Sequence, residues 1–275
     1  PGKSGVQFDV EKAKEIIGDG SQASYSIPVT ITQPTITEAV LRERLFRDTL
    51  ARTATNLNEG NAPRTNNVRL AAKAINGTIL NPGDVFSYNT VVGERTQARG
   101  YQEAHAYSGG KIIDEFGGGV CQPSSTLYMA VLRADLEVVE RHNHSFTVSY
   151  TPPGEDATVD YGNLDFRFAN NTAYPIKILA EQTDGQMIMT IIGTKTSDKT
   201  VATRTEVLET YKPETVEKQD SSLAAGETQV ETSGITGYST RTYKVITENG
   251  KTTEVLANKS TYSKRDEIVC VGTGS

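Results

Sequence analysis

The stretch GGGVCQPSSTLYMAVLRA, residues 117–134, contains the strongest structural signal in the sequence. After the glycines, apolar residues recur at helical spacing, at Leu127, Ala130, Val131 and Ala134. Pro123 suits the first turn of a helix, where its missing N–H removes no intrahelical hydrogen bond. The sequence therefore predicts a helix that begins near Cys121, with the cysteine at or just before its N-terminus.

Helical and extended patterns surround this helix. A second helix is predicted over residues 67–76, and Gly77 follows it as a C-terminal cap. Strand-like segments follow the cysteine helix, at residues 145–151, 157–168, 175–180 and 187–192. We therefore predict an α+β fold for residues 35–194, with a few helices packed on a mostly antiparallel sheet.

The amino-acid composition of the chain changes near residue 194. The remaining sequence is rich in Thr, Glu, Lys and Val in short alternating segments, and Glu248-Asn249-Gly250 is a hairpin turn signal. These features predict an elongated all-β module over residues 200–275, joined by a short linker that permits some interdomain movement. Residues 1–34 are too short for an independent domain, and we expect them to be the remnant of an upstream one.

Composition excludes several classes of protein. The chain has 275 residues, which suggests about two domains. Its net charge of -6 without a basic stripe argues against a nucleic-acid partner. Two cysteines and three histidines exclude a disulfide framework and argue against a large metal centre. No apolar run reaches the ~20 residues that span a bilayer, although a chain that starts at Pro1 leaves room for an upstream membrane anchor.

Cys121 is the leading candidate for chemistry. A helix N-terminus and a neighbouring imidazole both favour the nucleophilic thiolate. His144 is the expected base, with His142 as the substitute, and Asp160 or Asp165 would orient the imidazole. The backbone amides between Gly119 and Gln122 would stabilise an oxyanion. The order of cysteine on a helix, histidine, then acid is similar to that of transglutaminase-like and papain-like enzymes.

Each candidate also has a plainer interpretation. A lone cysteine is most often a small buried apolar residue, as we expect for Cys270. Cys121, His142 and His144 form a weaker candidate metal site, without a short-spaced ligand motif. Other residues would either line the site or serve structure: Ser124 and Ser125 as helix caps, and Tyr101, Tyr107, Tyr128 and Tyr161 as core aromatics.

Several motifs together resemble a known family. They are Arg64-Thr65-Asn66-Asn67-Val68, Asn81-Pro82-Gly83-Asp84-Val85-Phe86-Ser87-Tyr88, Gly117-Gly118-Gly119-Val120-Cys121-Gln122-Pro123-Ser124-Ser125, Glu140-Arg141-His142-Asn143-His144 and Asp156-Ala157-Thr158-Val159-Asp160-Tyr161-Gly162. This pattern resembles the VanW family over roughly residues 50–180. The C-terminal part resembles a G5 domain, on Lys212-Pro213-Glu214-Thr215-Val216, Ala225-Gly226-Glu227-Thr228 and the closing Val271-Gly272-Thr273-Gly274. Residues 1–34 look like the end of a peptidoglycan-binding-like domain that often precedes VanW domains.

The resemblance implies an extracellular, cell-surface protein of the Gram-positive type, with peptidoglycan or a cell-wall glycan as its partner and no cofactor. One hypothesis is a cysteine-dependent hydrolase or acyl-transferase acting on stem peptides, with Cys121 as nucleophile. The alternative is a non-catalytic module that holds a cell-wall glycan or peptide in a tyrosine-lined groove, with the G5 domain as a stalk or second foothold.

Overall fold

The computed structural model describes residues 2–34, 37–108 and 111–274, with backbone only for Arg44, 105–108 and 111–114. The chain forms two compact units, residues 1–47 and 48–275. The first unit contains β1 (Gly5–Gln7), α1 (Val10–Ile17), β2 (Thr30–Thr32) and α2 (Glu38–Arg44). β1 and β2 pair antiparallel. Asp9 caps α1 by accepting hydrogen bonds from the amides of Glu11 and Lys12.

The first part of the second unit is a mixture of helices and strands. Its strands are β3 (Asp48–Asn56), β4 (Ile79–Leu80), β5 (Val85–Ser87), β6 (Glu103–Ser108), β7 (Lys111–Phe116), β8 (Glu137–Glu140), β9 (Arg167–Ala169), β10 (Ile176–Thr183) and β11 (Gln186–Gly193). Its helices are α3 (Ala62–Ile75), α4 (Tyr88–Val92), a 3-10 helix (Gln97–Arg99) and α5 (Cys121–Arg133).

The sheets of this part are antiparallel and carry the helices. The main sheet has the strand order β3–β11–β10–β4, α5 packs on β3 and β11, and α3 packs on β10. A smaller sheet has the order β5–β9–β8, and β6 pairs with β7. This arrangement confirms the predicted α+β class.

The core lies between the helices and the main sheet. On α3 the buried side chains Val68, Ala71, Ala72 and Ile75 recur at helical spacing and face the sheet. Leu127, Ala130 and Val131 of α5 are fully buried. An aromatic cluster extends this core, with Tyr128 edge-on to Phe166 and Phe86 stacked on Phe168. Because almost every face of α5 is covered, its N-terminus is held in a defined place.

The C-terminal part is all-β. Its strands are β12 (Thr200–Tyr211), β13 (Thr215–Ala224), β14 (Thr228–Thr232), β15 (Gly237–Glu248), β16 (Lys251–Tyr262) and β17 (Glu267–Gly274). One sheet has the antiparallel order β12–β15–β16, and the other has the order β13–β17–β14 with β13 parallel to β17. Asn249 and Gly250 both have positive φ in the β15–β16 turn, which confirms the predicted hairpin.

The two parts of the second unit pack closely, in contrast to the predicted flexible linker. Thr203 on β12 accepts a hydrogen bond from Arg133 and donates one to Glu155, and Arg133 pairs with Glu155 at 2.7 Å. Gly154 approaches β15 so closely that a Cβ there would lie 2.0 Å from Thr242 Oγ1. On β16, Ser260 Oγ accepts from Arg141 and Asn258 donates to the Gly154 carbonyl oxygen, so this strand also packs against residues 141–157.

Two predicted strands are absent from the described structure. Residues 145–151 form bends and turns, and most of residues 157–168 make only the isolated bridges of Thr158 to His142 and Asp160 to Leu164 before β9 begins at Arg167. In the second segment, side chains take hydrogen bonds that a strand ladder would make: the Ala157 amide donates to Ser125 Oγ and the Val159 amide donates to Cys121 Sγ.

Candidate active site

Cys121 is the first residue of α5 and is partly buried. Its sulfur lies 3.6 Å from Thr158 Oγ1 and 3.5 Å from the Val159 carbonyl oxygen, and it accepts from the Val159 amide at 3.5 Å. These polar neighbours distinguish the thiol from one sealed in an apolar core. The helix N-terminus beneath it also favours negative charge on sulfur.

His144 is the histidine whose ring interacts with this thiol. Its Nδ1 is 2.6 Å from Asp156 Oδ2, and its Nε2 is 3.4 Å from the Tyr150 hydroxyl. With Nδ1 bonded to the acid, Nε2 is the nitrogen left to face the sulfur. The imidazole and the thiol form no well-aligned hydrogen bond in this structure, although their charges interact directly. Catalytic hydrogen bonds are often long without substrate.

Asp156 is held on both of its carboxylate oxygens. Oδ2 accepts from the ring and the backbone amide of His144. Oδ1 accepts from Arg141 Nη2 at 2.9 Å and from the Tyr262 hydroxyl at 2.5 Å. The side chain is 1% exposed. A buried carboxylate with four donors is fixed in orientation, and it fixes the imidazole in turn.

The protonation states follow from these contacts. Burial would raise the pKa of the Cys121 thiol, but the interaction with His144 outweighs it and lowers the pKa below its ordinary value. Burial would lower the pKa of His144, but Asp156 and Cys121 raise it to about 9. Burial would raise the pKa of Asp156, but His144 and Arg141 hold it below its ordinary value. The group therefore favours thiolate, imidazolium and carboxylate together.

Backbone amides near the thiol are available to an oxyanion. Val120 and Gln122 donate to the carbonyl oxygens of Gly117 and Gly119. The amides of Gly119 and Cys121 donate to no acceptor among the described residues. Among the predicted oxyanion donors between Gly119 and Gln122, these two N–H groups are the ones that no described acceptor occupies.

Arg64 on α3 adds positive charge beside the sulfur. Its Nη2 donates to Gln122 Oε1 at 2.7 Å, and no carboxylate pairs with it in the described part of the chain. Burial lowers the pKa of Arg64, whereas the charges of Tyr150 and Cys121 raise it. Gly119 has φ 102°, and a Cβ at this position would lie 2.7 Å from Arg64 Cγ. The glycine therefore makes room for the guanidinium.

The other predicted acid and base residues lie outside this group. His142 Nε2 is 3.1 Å from Glu140 Oε1. Asp165 accepts from the Ser87 hydroxyl at 2.6 Å and from the Asn89 amide at 2.8 Å. The exposed carboxylate of Asp160 accepts from Asn163. The carboxylate beside His144 is thus Asp156, and neither of the two predicted acids reaches it.

The predicted binding residues are mostly buried. Gln122 donates to Thr55 Oγ1 at 2.9 Å and to the Asn56 carbonyl oxygen at 2.8 Å. Ser125 Oγ accepts from the Ala157 amide at 3.0 Å and so joins α5 to the segment after Asp156. Ser124 is fully buried.

The predicted tyrosine groove is not assembled among the described residues. Tyr101 and Tyr128 belong to the core, at 3% and 1% exposure, whereas Tyr161 is 51% exposed. Tyr161 lines a cavity of about 370 Å³ with Ser87 and Asp165. The side chain of Tyr107 lies outside the described residues. No group of three or more His, Cys, Asp and Glu side chains in the described structure is arranged to hold a metal ion.

Sequence reasoning missed Asp156, Tyr150, Arg64, Arg141 and Tyr262. Tyr150 lies in a loop and Tyr262 in another domain, where spacing carries no signal. Arg64, Arg141 and Asp156 each belong to a motif quoted above, and their charges near a predicted thiolate and imidazole were a usable sign.

Comparison with known proteins finds that two regions of the chain each match a family. Residues 63–192 match a family described as VanW like protein. Residues 202–274 match the family described as G5 domain.

Two curated relatives share the first region. The chain is 45% identical over 142 residues to "Uncharacterized protein YoaR" of Bacillus subtilis (strain 168), covering 52% of this chain and 47% of that protein. It is 29% identical over 134 residues to "Vancomycin B-type resistance protein VanW" of Enterococcus faecalis (strain ATCC 700802 / V583), covering 47% of this chain and 49% of that protein. The chain therefore spans about half the length of the curated relatives it matches.

Two solved structures resemble the C-terminal region. The structure titled "IgA1 Protease G5 domain structure" covers 29% of this chain and 98% of its own, with 18% identity and a TM-score of 0.21. "Crystal structure of HP0197-G5" covers 28% and 100%, with 21% identity and a TM-score of 0.18. The C-terminal region is all-β, as predicted.

Both families point to a protein associated with the cell wall. Within the described ranges, no helix has the length and apolar character needed to cross a bilayer. The chain contains a VanW-like domain, residues 63–192, followed by a G5 domain, residues 202–274.

Proposed function

We propose that the VanW-like domain is a cysteine-dependent hydrolase or acyl-transferase that acts on peptidoglycan stem peptides outside the cell. The observation that carries this proposal is the Cys121–His144–Asp156 group. A thiol at a helix start, a buried imidazole bonded to an acid, and a lowered thiol pKa meet the requirements of covalent catalysis.

In the first half of the reaction the Cys121 thiolate attacks the carbonyl carbon of an amide bond in the stem peptide. The electron pair of the carbonyl moves to oxygen, and the amides of Gly119 and Cys121 donate to that oxyanion. When the intermediate collapses, the C–N bond breaks and His144 gives its proton to the leaving nitrogen. The products are a free amine and a thioester on Cys121.

In the second half His144 is neutral and accepts a proton from the incoming nucleophile. Water yields a carboxylic acid and completes hydrolysis. An amine of a second stem peptide yields a new amide and completes acyl transfer. In both cases the C–S bond breaks and sulfur leaves as thiolate, so that the imidazolium and thiolate are restored. Asp156 stays ionised throughout and holds the ring in place.

The choice of a peptide substrate rests on the cell-wall association of both families and on Arg64. Stem peptides carry carboxylates, and an arginine without a carboxylate partner in the described structure suits such a group beside the thiol. The acidic chain as a whole, with a net charge of -6, gives no general attraction for anionic polymers. Selectivity for an anionic group would therefore be local to Arg64.

The test is incubation of defined muropeptides with three forms of the full chain: wild type, Cys121→Ala and Cys270→Ala. Cys270 is buried on β17, so the last variant controls for the loss of a thiol elsewhere. Chromatography and mass spectrometry should show new products with wild type and Cys270→Ala and none with Cys121→Ala. The same product profile from all three proteins would sink the enzymatic proposal.

A second candidate function is binding of a cell-wall glycan or peptide without turnover. The exposed Tyr161 ring beside a cavity of about 370 Å³ favours it, since exposed aromatic faces suit sugar stacking. Pull-down on purified sacculi tests this function. Binding that survives Cys121→Ala but is lost in Tyr161→Ala supports it, and failure of wild type to bind sacculi contradicts it.

A further inference from the structure

Residues from two domains donate hydrogen bonds to the carboxylate of Asp156. Arg141, on the VanW side, donates Nη2 to Oδ1 and Nε to the Asp156 carbonyl oxygen at 2.6 Å. Tyr262, the last residue of β16 in the G5 domain, donates its hydroxyl to the same Oδ1. The two residues joined by this bond are 106 positions apart in the sequence.

The Tyr262 hydroxyl both accepts and donates a hydrogen bond within this region. It accepts from the Gly154 amide at 2.6 Å and donates to Asp156 Oδ1 at 2.5 Å. The residue is 1% exposed, so its hydroxyl is shielded from bulk solvent. Burial and the negative charge of Asp156 raise the pKa of Tyr262, which keeps it a neutral donor. One hydroxyl thus joins the acid to the turn two residues before it.

Tyr262 acts together with its neighbours on the same face of β16. Alternate residues of a strand share a face. The two preceding residues on this face, Ser260 and Asn258, also contact groups that hold Asp156. Ser260 Oγ accepts from Arg141 Nη1 at 2.7 Å. Asn258 Nδ2 donates to the Gly154 carbonyl oxygen at 2.8 Å. Three successive inward side chains of one strand therefore surround Asp156, Arg141 and Gly154.

We infer that strand β16 of the G5 domain is part of the active site, with Tyr262 as the positioning residue that aligns Asp156 with His144. This inference rests on the proposed function of Cys121, and it gives the G5 domain a role beyond that of a stalk or wall-binding module. Without the Tyr262 hydroxyl, Oδ1 retains only Arg141, and the carboxylate turns toward that guanidinium and away from His144 Nδ1. The imidazolium then stabilises the thiolate less well.

The test measures the pH dependence of Cys121 alkylation by iodoacetamide in the full chain, quantified by peptide mass spectrometry so that Cys270 is followed separately. The variants are Tyr262→Phe, which removes one hydrogen bond to Asp156, Asp156→Asn, which removes the carboxylate itself, and Tyr238→Phe, which is the matched control. Tyr238 lies directly opposite Tyr262 in the β15–β16 ladder. Around the thiol and the acid lie the charged and titratable groups His144, Tyr150, Arg64, Tyr88, Tyr128 and Arg141. All of them remain in the two tyrosine variants.

We expect Tyr262→Phe to raise the midpoint of Cys121 alkylation by about half a pH unit, the effect of one net hydrogen bond. Asp156→Asn should raise it further, and Tyr238→Phe should match wild type. Thermal unfolding is measured in parallel. If Tyr262→Phe does not fold, Ser260→Ala, which removes an acceptor of Arg141, should give a smaller rise in the same direction.

Two results would overturn the inference in distinguishable ways. A rise with Asp156→Asn but none with Tyr262→Phe or Ser260→Ala would leave the proposed function standing and reduce β16 to a structural neighbour. No rise even with Asp156→Asn would remove the role of the acid, and with it both the inference and the proposed catalytic group.

Discussion

Asp156 Oδ2 accepts two hydrogen bonds from His144, one from the ring Nδ1 at 2.6 Å and one from the backbone amide at 2.8 Å. This double contact sets both the position of the residue and the direction of its ring. It also leaves Nε2 unbound to the acid, as the proposed proton transfer requires. The relationship accounts for the raised pKa of His144 and, through it, for the lowered pKa of Cys121.

The first prediction concerns the charge of His144. Its imidazole should titrate at about pH 9, followed by NMR of the ring nitrogens. Asp156→Asn removes the carboxylate that stabilises the imidazolium, so the midpoint should fall by about 1–3 units. Asp160→Asn is the matched control, because the Asp160 carboxylate is exposed and bonds to Asn163. If the His144 midpoint falls in Asp160→Asn and not in Asp156→Asn, the acid that orients the imidazole is Asp160, as the sequence predicted.

The second prediction concerns Arg64. Its positive charge should favour anionic iodoacetate over neutral iodoacetamide at Cys121. Arg64→Gln should lower the ratio of the two alkylation rates by about three- to tenfold, equivalent to roughly 1 kcal/mol of lost attraction. The ratio cancels any change in thiolate fraction. Arg69→Gln, on the exposed side of the same helix, removes the same charge and should leave the ratio unchanged. Equal ratios in wild type and Arg64→Gln would exclude an anion-binding role.

The third prediction concerns Gly119. Gly119 and Gly162 both have φ between 80° and 105°, but a Cβ at Gly162 meets no heavy atom within 4 Å. Gly162→Ala should therefore cost about 1 kcal/mol of unfolding free energy, the penalty of a left-handed backbone alone. Gly119→Ala should cost more, because the new methyl displaces Arg64. Urea unfolding measures both. Equal losses would mean that the close approach of Arg64 is not required.

Local signals explain what could be predicted from sequence. The start of α5 follows from glycines, Pro123 and helical spacing, and the β15–β16 hairpin follows from Asn249-Gly250. Both depend on residues close together in the chain. The helix start in turn identified Cys121, and the order of cysteine, histidine and acid along the chain made His144 a candidate, with His142 as the substitute.

Long-range contacts explain what could not be predicted. Asp156 and His144 lie in an irregular loop, where the backbone amide of His144 donates to the Asp156 side chain. No alternating strand pattern in the sequence therefore identifies the two residues as a pair. Tyr262 reaches the acid from another domain. The predicted strand at residues 157–168 is interrupted because side chains take part of its ladder bonds, with Ser125 Oγ accepting from the Ala157 amide and Cys121 Sγ from the Val159 amide. The predicted tyrosine groove failed because Tyr101 and Tyr128 were needed in the core.

The most direct test of the central claim, that His144 and Asp156 activate Cys121, is the pH dependence of Cys121 alkylation in the wild-type chain. The lowered thiol pKa means that reactive thiolate persists below the pH at which an ordinary thiol is protonated, and it is lost only as pH falls through the lowered value. We predict a midpoint clearly below ~8.5, the ordinary value for cysteine, and a higher midpoint in His144→Asn. Burial raises the pKa of Cys270, which serves as the internal reference. A wild-type midpoint at or above ~8.5, unchanged in His144→Asn, would contradict the account.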